Sequence, residues 1–280
     1  MNIKILGTAA AEGIPSPFCS CRFCEYSRKH LKLEQRKRSS VLIDKILLID
    51  MGPDTLWNSV SQNISYNRLR FILFSHSHFD HFSVPSLLLN SNAYRKKRIE
   101  EPIKLVGSPQ VYRKLINYLD IMAIDKKDFF SNYHYTVVKP GEELMLGKYI
   151  ITILESTHSR TEKCLLYVIR NEEKSFFYST DTAMYNVQEV FKNYSDKLDV
   201  VLSDCTYGIN SQSVRKKRHM GLIDNIKIFN EMKTNNLLKE TSRYILTHFS
   251  HDSMIPNYLL KDYAKRYNME IAYDGMEVNI

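Results

Sequence analysis

Four side chains that can bind a metal fall within six positions of the chain: His76, His78, Asp80 and His81. They follow directly after the apolar run 71–74, which has the composition of a buried strand. Three imidazoles and one carboxylate on a short turn suit zinc, manganese or iron, whereas calcium and magnesium prefer oxygen ligands. The spacing therefore predicts a metal site at the end of this strand.

Three further candidate ligands lie far along the chain, each behind a strand-like run. His158 follows the run 150–154, Asp181 follows the run 175–180, and His248 follows the run 244–247. Any one of them alone would more often be a structural residue than a ligand. Three in this order, each at a strand end, indicate ligands that meet at one edge of the fold.

The pattern His-x-His-x-Asp-His after an apolar strand resembles the signature of the metallo-β-lactamase superfamily. The resemblance implies two divalent ions, manganese or zinc, held by two sets of three ligands and one bridging carboxylate. The first set is His76, His78 and His158, the second is Asp80, His81 and His248, and the bridge is Asp181. It further implies a bridging hydroxide as nucleophile, which Asp80 would orient. The implied fold is α+β, a four-layer αβ/βα sandwich with two sheets face to face and helices outside.

Three cysteines, Cys19, Cys21 and Cys24, lie within six positions. In a cytoplasmic chain such close thiols are more typical of a metal site than of disulfides, and three thiolates leave tetrahedral zinc one ligand short. His251 is a candidate for the fourth ligand, and a redox-sensitive loop of free thiols is the alternative. The opening 6–15 and the Cys-x-Cys-x-x-Cys spacing resemble the branch that contains the phosphodiesterase of the carbon–phosphorus lyase pathway. That resemblance implies a structural zinc on these four residues, in a cysteine loop at about 14–38 of a single domain 1–280.

His219 is the candidate general acid, because a departing alkoxide needs a proton. It stands at the start of the predicted helix 220–236, beside a basic run. In the branch resembled above, a His before this helix protonates the leaving group, and an exposed loop His is the alternative. Asp50 and Asp204 each end a strand-like run, where a carboxylate supports metal ligands or caps a turn.

Composition sets the outer limits. The chain has 280 residues, a net charge of +8 and a hydrophobic fraction of 44%. No apolar stretch approaches the roughly 18 residues that span a bilayer, and the first residues read as a strand rather than a signal, so we expect a cytoplasmic protein with no membrane partner. The basic clusters 36–38, 95–98 and 215–218 are explained by solvated surface charge more readily than by an anionic partner.

Periodicity predicts alternating strands and helices. The predicted strands are 3–6, 40–43, 46–49, 103–106, 134–138, 149–154, 164–169, 175–180 and 200–202, and the predicted helices are 85–95, 109–119, 184–194, 220–236 and 256–267. Residues 26–38 predict a short helix or a loose loop, and 120–133 favour neither state.

The leading hypothesis is a metal-dependent phosphodiesterase that acts on a small, cyclic or strained phosphodiester. An RNA-processing nuclease related to the tRNA 3′-processing endonucleases is the alternative, since these share the His-x-His-x-Asp-His core. They usually carry a glycine-rich arm, which this sequence lacks, so a nucleic-acid partner is not favoured. A non-catalytic nucleic-acid or metabolite-binding relative is a third reading, and a homodimer is expected from family habit alone.

Overall fold

Two seven-stranded sheets form the centre of the fold in the computed structural model, which describes residues 1–96, 101–172, 174–211 and 218–280. The first sheet has the order β14-β1-β2-β3-β4-β5-β6, and the second has the order β13-β12-β11-β10-β9-β8-β7. The strands are β1 (Asn2–Gly7), β2 (Ser40–Ile43), β3 (Leu47–Ile49), β4 (Phe71–Leu73), β5 (Ile103–Gly107), β6 (Tyr133–Val137), β7 (Glu143–Leu146), β8 (Tyr149–Ser156), β9 (Cys164–Asn171), β10 (Lys174–Ser179), β11 (Leu198–Asp204), β12 (Leu238–Thr247), β13 (Glu270–Ile271) and β14 (Glu277–Asn279).

Helices cover the outer faces of both sheets. They are α1 (Arg22–Lys29), α2 (Leu31–Glu34), α3 (Thr55–Ser61), α4 (Val84–Leu88), α5 (Pro109–Ile121), α6 (Lys126–Asn132), α7 (Val187–Val190), α8 (Leu222–Thr234) and α9 (Asn257–Lys265), with a 3₁₀ turn at His251–Ser253. None of the described helices is long and apolar enough to cross a membrane.

Apolar side chains fill three layers, one between the sheets and one under each set of helices. Strand β10 shows how the two-residue period divides them: Phe176 and Tyr178 point into the layer between the sheets, and Phe177 points into the layer under α7 and α8. Leu115 of α5 lies in the third layer, on the outer face of the first sheet. The order helix, sheet, sheet, helix confirms the predicted four-layer sandwich.

Parallel pairing brings the strand ends that precede the candidate site residues to one edge of the fold. In the first sheet β3, β4, β5 and β6 run parallel to one another. In the second sheet β10, β11 and β12 run parallel, and β8 has the same direction because it is antiparallel to β9, which is antiparallel to β10. The segments after β3, β4, β8, β10 and β12 therefore leave the two sheets together.

Two predicted helices are much shorter than the sequence suggested. The helix predicted at 85–95 is α4, which ends at Leu88, where Asn90 and Ser91 close successive turns that replace helical bonds. The helix predicted at 184–194 shrinks to the single turn α7, because Asn186 caps its start and the segment turns at Phe191. Residues 120–133 contain the end of α5 and all of α6.

The basic clusters do not share one environment. Arg36 is buried, contrary to the expectation of solvated charge: its guanidinium donates to Thr8 Oγ1, to the carbonyl oxygen of Ala272 and to Asn257 Oδ1, and stacks over the ring of Phe249. Parts of the other two clusters, 97–98 and 215–217, lie outside the described residues.

Candidate metal centre

The loop after β4 carries four of the predicted ligands, and its path is fixed by close backbone packing. His81 N and Phe82 N both donate to the carbonyl oxygen of His78, which folds the segment into a tight turn. A Cβ at Gly52 would lie 2.0 Å from the carbonyl oxygen of Asp80, so only glycine lets the loop approach the turn after β3 this closely. The loop thus points its polar side chains toward the edge where both sheets end.

Three imidazoles converge in the first group. His76 Nε2 lies 2.9 Å from His78 Nδ1, which lies 3.3 Å from His158 Nε2. Nitrogens bound tetrahedrally to one zinc at 2.0–2.1 Å would be about 3.3 Å apart, so these separations suit a shared ion. His76 and His158 are buried, and His78 is exposed at the mouth.

A second group forms beside the first, and one carboxylate touches both. His81 Nε2 lies 3.1 Å from Asp80 Oδ2, and His248 Nε2 lies 4.0 Å from the same oxygen. Asp181 Oδ2 lies 2.7 Å from His81 Nε2 and 2.9 Å from His248 Nε2, while its Oδ1 lies 3.6 Å from His158 Nε2. Asp181 therefore stands between the two groups.

Asp50 fixes the ring of His81 directly and the ring of His76 through Ser75. Its Oδ2 accepts hydrogen bonds from His81 Nδ1 at 2.7 Å, from Tyr178 OH at 2.8 Å and from Ser75 Oγ at 2.8 Å. His76 Nδ1 lies 3.0 Å from Ser75 Oγ, whose proton is directed at Asp50. Because both Nδ1 atoms are engaged as donors, the Nε2 lone pairs of His76 and His81 face the centre.

The second-sheet histidines are oriented in the same way. His248 Nδ1 lies 2.8 Å from Thr206 Oγ1, and His158 Nδ1 lies 3.2 Å from the carbonyl oxygen of Arg218. Each ring again offers its Nε2 to the centre.

His219 lies at the rim of the centre, paired with a fully buried carboxylate. Its Nδ1 is 2.9 Å from Asp204 Oδ2 and 3.9 Å from Asp181 Oδ1. Asp204 Oδ1 accepts from the backbone N–H groups of Thr206 and Met220. Burial would raise the pKa of Asp204, but the charges of His219 and His248 lower it, so the carboxylate stays ionised and holds the His219 ring.

Backbone strain coincides with three of these residues. Asp50, Asp181 and His248 each follow a strand and have φ values of 60°, 50° and 62°. Residues other than glycine seldom adopt this left-handed region, and such conformations concentrate at functional sites. The sharp turn aims each side chain into the space between the sheets.

Opposing charges balance inside the centre. Burial would lower the pKa of His81, but the carboxylates of Asp181, Asp80 and Asp50 raise it well above its usual value. The pKa of His248 rises to about 9 because Asp181 outweighs burial. Burial would raise the pKa of Asp181, but the charges of His248 and His81 hold it well below its usual value. A cation that binds here competes with protons on the two imidazoles.

Three buried atoms support the fit to metal ions. His81 Nε2, His248 Nε2 and Asp181 Oδ2 are inaccessible to solvent and have no hydrogen-bond partner within the described residues, although the carboxylate oxygen lies within 2.9 Å of each nitrogen. Buried polar atoms are nearly always satisfied, so this cluster matches atoms that bind cations. The donor set of imidazoles and carboxylates is one that zinc or manganese accepts.

The cysteine loop forms a second cluster. The ligand atoms of Cys19, Cys21, Cys24 and His251 lie within 4.8 Å of one another, and Cys21 Sγ is 3.6 Å from His251 Nδ1. A thiolate and an imidazole bound to one zinc would be about 3.6 Å apart. Burial would raise the pKa of Cys21, but hydrogen bonds from Cys24 N and His251 lower it to about 6, which favours the thiolate.

The structure places every residue of the predicted site in the candidate metal centre, in the cysteine cluster or, for His219, at the rim of the metal centre. The supporting residues were mostly missed from sequence. Ser75 and Thr206 sit beside a ligand or a strand-ending carboxylate, which is a detectable signal, whereas Tyr178 reads only as a core residue of β10. Arg160, two residues past His158, is exposed.

Comparison with models of protein families assigns most of the chain to a known superfamily. The sequence model of a beta-lactamase superfamily domain matches residues 45–249, well over half of the chain. Among proteins with curated descriptions, a sequence comparison finds no match.

Several solved structures share the fold. A new diphosphatase from the PhnP family superposes with a TM-score of 0.74 at 19% identity, over 100% of this chain and 97% of that one. Zn²⁺-bound PqqB from Methylobacterium extorquens superposes with a TM-score of 0.74 at 15% identity, over 100% of both chains. The short form of human tRNase Z superposes with a TM-score of 0.68 at 16% identity, over 100% of this chain and 99% of that one.

Proposed function

The chain belongs to the beta-lactamase superfamily, and from that premise we propose that it hydrolyses a small phosphodiester, with a cyclic diester as the preferred kind. Membership makes it a metal-dependent hydrolase in broad class. The finer assignment is carried by one observation: the Asp181 carboxylate stands between two three-residue groups, with the His219–Asp204 pair beside it.

We assign the two groups of ligands to two divalent ions, manganese or zinc, and the cysteine cluster to a structural zinc. Ions bound in the two groups would supply Lewis-acid charge and a water acidic enough to attack phosphorus near neutral pH. His81 and His248 keep their Nε2 atoms directed at the centre through Asp50 and Thr206. Asp80 completes the second group and would orient the attacking water.

His219 acts as the general acid in this proposal. Its Nδ1 is engaged by Asp204, so a proton on its other nitrogen, Nε2, is available to a leaving alkoxide. Asp204 is ionised and fully buried, and therefore stabilises the imidazolium before the transfer. The proton ends on the leaving oxygen.

Turnover tests the proposal directly. We expect the protein with added manganese or zinc to hydrolyse bis(p-nitrophenyl) phosphate and at least one of a 2′,3′-cyclic nucleotide and a ribosyl cyclic phosphate, and to stop when the ions are chelated. Absence of metal-dependent turnover with all three would rule the proposal out. Asp80→Asn that abolishes turnover but leaves substrate affinity intact would also exclude a purely binding role.

The leaving group identifies the acid. His219→Ala should lower kcat for an alkoxide leaving group by about 10²–10⁴ and change kcat little for p-nitrophenolate, which leaves without a proton. His30→Ala, which removes an exposed histidine of the cysteine loop, is the matched control. Equal losses for both leaving groups would assign His219 a structural role.

RNA processing remains the second candidate, since the fold is shared with a tRNase Z. The nine glycines of this chain are scattered and form no glycine-rich arm. A precursor tRNA should therefore be cleaved far more slowly than the small diesters. Tight tRNA binding with a steep salt dependence, together with 3′ cleavage, would favour the nuclease instead.

A further inference from the structure

The thiols of the cysteine cluster differ in exposure and in their position relative to α1. Cys21 is the N-cap of this helix and is partly exposed, and its Sγ accepts a hydrogen bond from the backbone N–H of Cys24. Cys24 is fully buried one turn further along the helix. The two residues therefore have Cys-x-x-Cys spacing at a helix N-terminus, with an accessible first sulfur and a buried second one. This arrangement is typical of dithiols that alternate between reduced and oxidised forms.

The surroundings of Cys21 suit a thiolate. The backbone nitrogen of Cys24 lies 3.4 Å from its Sγ, and His251 Nδ1 lies 3.6 Å from it. The N-terminus of α1 adds positive potential at the same sulfur. A thiolate is the form that binds zinc and also the form that attacks a peroxide, so one arrangement serves both reactions. Cys19 lies before the helix, where its Sγ accepts from the N–H of Cys21 at 3.4 Å.

Contacts that do not involve the cysteines hold the loop in place. At its base Ile14 N donates to the carbonyl oxygen of Arg36 at 3.0 Å, and Arg36 N donates to the carbonyl oxygen of Ile14 at 2.8 Å. The side chains of Ile14 and Phe23 are buried in the apolar layer under α7 and α8. Because these contacts persist without zinc, they would keep Cys21 and Cys24 close together after the ion leaves. A change in the oxidation state of the two sulfurs can therefore be reversed without unfolding the loop.

We propose that Cys21 and Cys24 are a redox pair, which hydrogen peroxide converts to a disulfide with release of the zinc ion from the cysteine cluster. The thiolate of Cys21 attacks the peroxide: a sulfur–oxygen bond forms, the oxygen–oxygen bond breaks, and the leaving hydroxide takes a proton from solvent. The sulfur of Cys24 then displaces the second hydroxide, which also becomes water, and the sulfur–sulfur bond forms. The two sulfurs lose two electrons and the peroxide is reduced to two waters. Cys19 and His251 alone are too few ligands for tetrahedral zinc.

The candidate metal centre should keep its ions when this zinc leaves. Only two residues separate His248 from His251, but the first of them, Phe249, is fully buried and fixed independently. Its N–H donates to the carbonyl oxygen of Thr8 at 2.9 Å, and its carbonyl oxygen accepts from Ala10 N at 2.9 Å. A displacement of His251 therefore stops at Phe249. The inference does not rest on the proposed phosphodiesterase activity, and it is measured by zinc content and thiol state rather than by turnover.

Peptide mapping of the wild-type protein tests the proposal directly. The zinc-loaded protein is treated with equimolar hydrogen peroxide, denatured, alkylated with N-ethylmaleimide and analysed by mass spectrometry. We expect a disulfide between Cys21 and Cys24, loss of one zinc ion per disulfide by elemental analysis, and recovery of both thiols and zinc after dithiothreitol and added zinc. Cys164 and Cys205 are free and buried, so they are internal controls and should be oxidised at least about tenfold more slowly.

Two variants distinguish the redox pair from a zinc site that is only structural. Cys19→Ser removes one zinc ligand but leaves the pair, so the Cys21–Cys24 disulfide should still form. Adding Cys24→Ser removes the remaining partner, so Cys21 should stop at the sulfenic acid, which dimedone labels. If either variant fails to fold, the comparison of the five cysteines in the wild type still gives the answer.

Three results would overturn the proposal. The first is oxidation of Cys164 or Cys205 before Cys21, and the second is a disulfide that involves Cys19 in place of Cys24. The third is formation of the disulfide with full retention of zinc. Loss of the ions of the metal centre together with the zinc would refute the independent anchoring of Phe249.

Discussion

The support that Asp50 gives to the metal centre can be tested with one isosteric change, Asp50→Asn. Asp50 is fully buried and accepts four hydrogen bonds, from the N–H and Oγ of Ser75, from Tyr178 OH and from His81 Nδ1, all at 2.7–2.8 Å. Its φ of 60° is tolerated by asparagine better than by most residues, so the substitution changes charge and donor pattern without new backbone strain.

The expected loss of stability and of metal affinity depends on which of the hydrogen-bond donors to Asp50 can adapt to asparagine. The introduced asparagine would retain one oxygen for the Ser75 N–H, but its amide group would face three donors. The hydroxyls of Ser75 and Tyr178 can rotate, whereas His81 can avoid the clash only by moving its proton to Nε2, the atom that faces Asp181. We expect about 2–4 kcal/mol lower free energy of unfolding and a 10–100-fold weaker affinity for the ion held by Asp80, His81 and His248.

Urea denaturation measures the first quantity, and equilibrium dialysis with elemental analysis measures the second. Tyr178→Phe is the control: it removes one hydrogen bond to Asp50 but leaves His81 oriented, so it should cost about 1 kcal/mol and leave metal affinity unchanged. The reasoning fails if Asp50→Asn retains wild-type metal affinity, or if Tyr178→Phe weakens it equally.

Three further predictions concern the cysteine cluster and its surroundings. Cys24→Ala should lower the zinc content by one ion per chain while the other ions remain exchangeable, and elemental analysis that still finds the full content would refute the four-residue site. Arg36→Met should lower the free energy of unfolding by about 2–4 kcal/mol, because Ala272 O and Asn257 Oδ1 lose their buried donor; a change below about 1 kcal/mol in urea denaturation would contradict this. Burial raises the pKa of Glu34 above its usual value, so at a pH between the unfolded-state pKa and the folded-state pKa the folded protein keeps a proton that the unfolded chain has lost. The free energy of unfolding of the wild type therefore falls as pH rises through this interval. Glu34→Gln should lose less over the same interval, and parallel stability–pH curves for the two proteins would refute the assignment.

The candidate ligands could be predicted from sequence because each of them follows a strand. The edge at which His158, Asp181 and His248 meet is a property of parallel pairing, and the order of the strands along the chain preserves it. The resemblance supplied what spacing alone could not, namely which three residues are expected to share an ion. The expected homodimer and the cytoplasmic location stay predictions.

What the sequence could not show is mostly a matter of side-chain partners across long separations. Tyr178 lies 128 positions from Asp50, and its hydroxyl reaches that carboxylate only because β10 packs across the inner layer onto the first sheet. Arg36 looked like surface charge because its neighbours are basic, yet the folded chain surrounds it with acceptors from both ends. The length of the helix at 85–95 was overestimated because backbone turns at Asn90 and Ser91 replace helical bonds. The length at 184–194 was overestimated because the helix begins only at the side-chain cap of Asn186 and ends at a turn at Phe191.

The left-handed backbone at Asp50, Asp181 and His248 limits what evolution or an engineer can place there. A β-branched replacement would carry a conformational penalty of about 1–2 kcal/mol before any lost ligand is considered, whereas asparagine or glycine would carry little. Randomised libraries at Asp181 and His248 should therefore yield abundant, well-folded but inactive proteins mainly as Asn and Gly variants. Alanine at these positions would instead combine misfolding with loss of the functional side chain. The choice of replacement therefore decides whether an inactive variant reports on the function of the side chain or on folding.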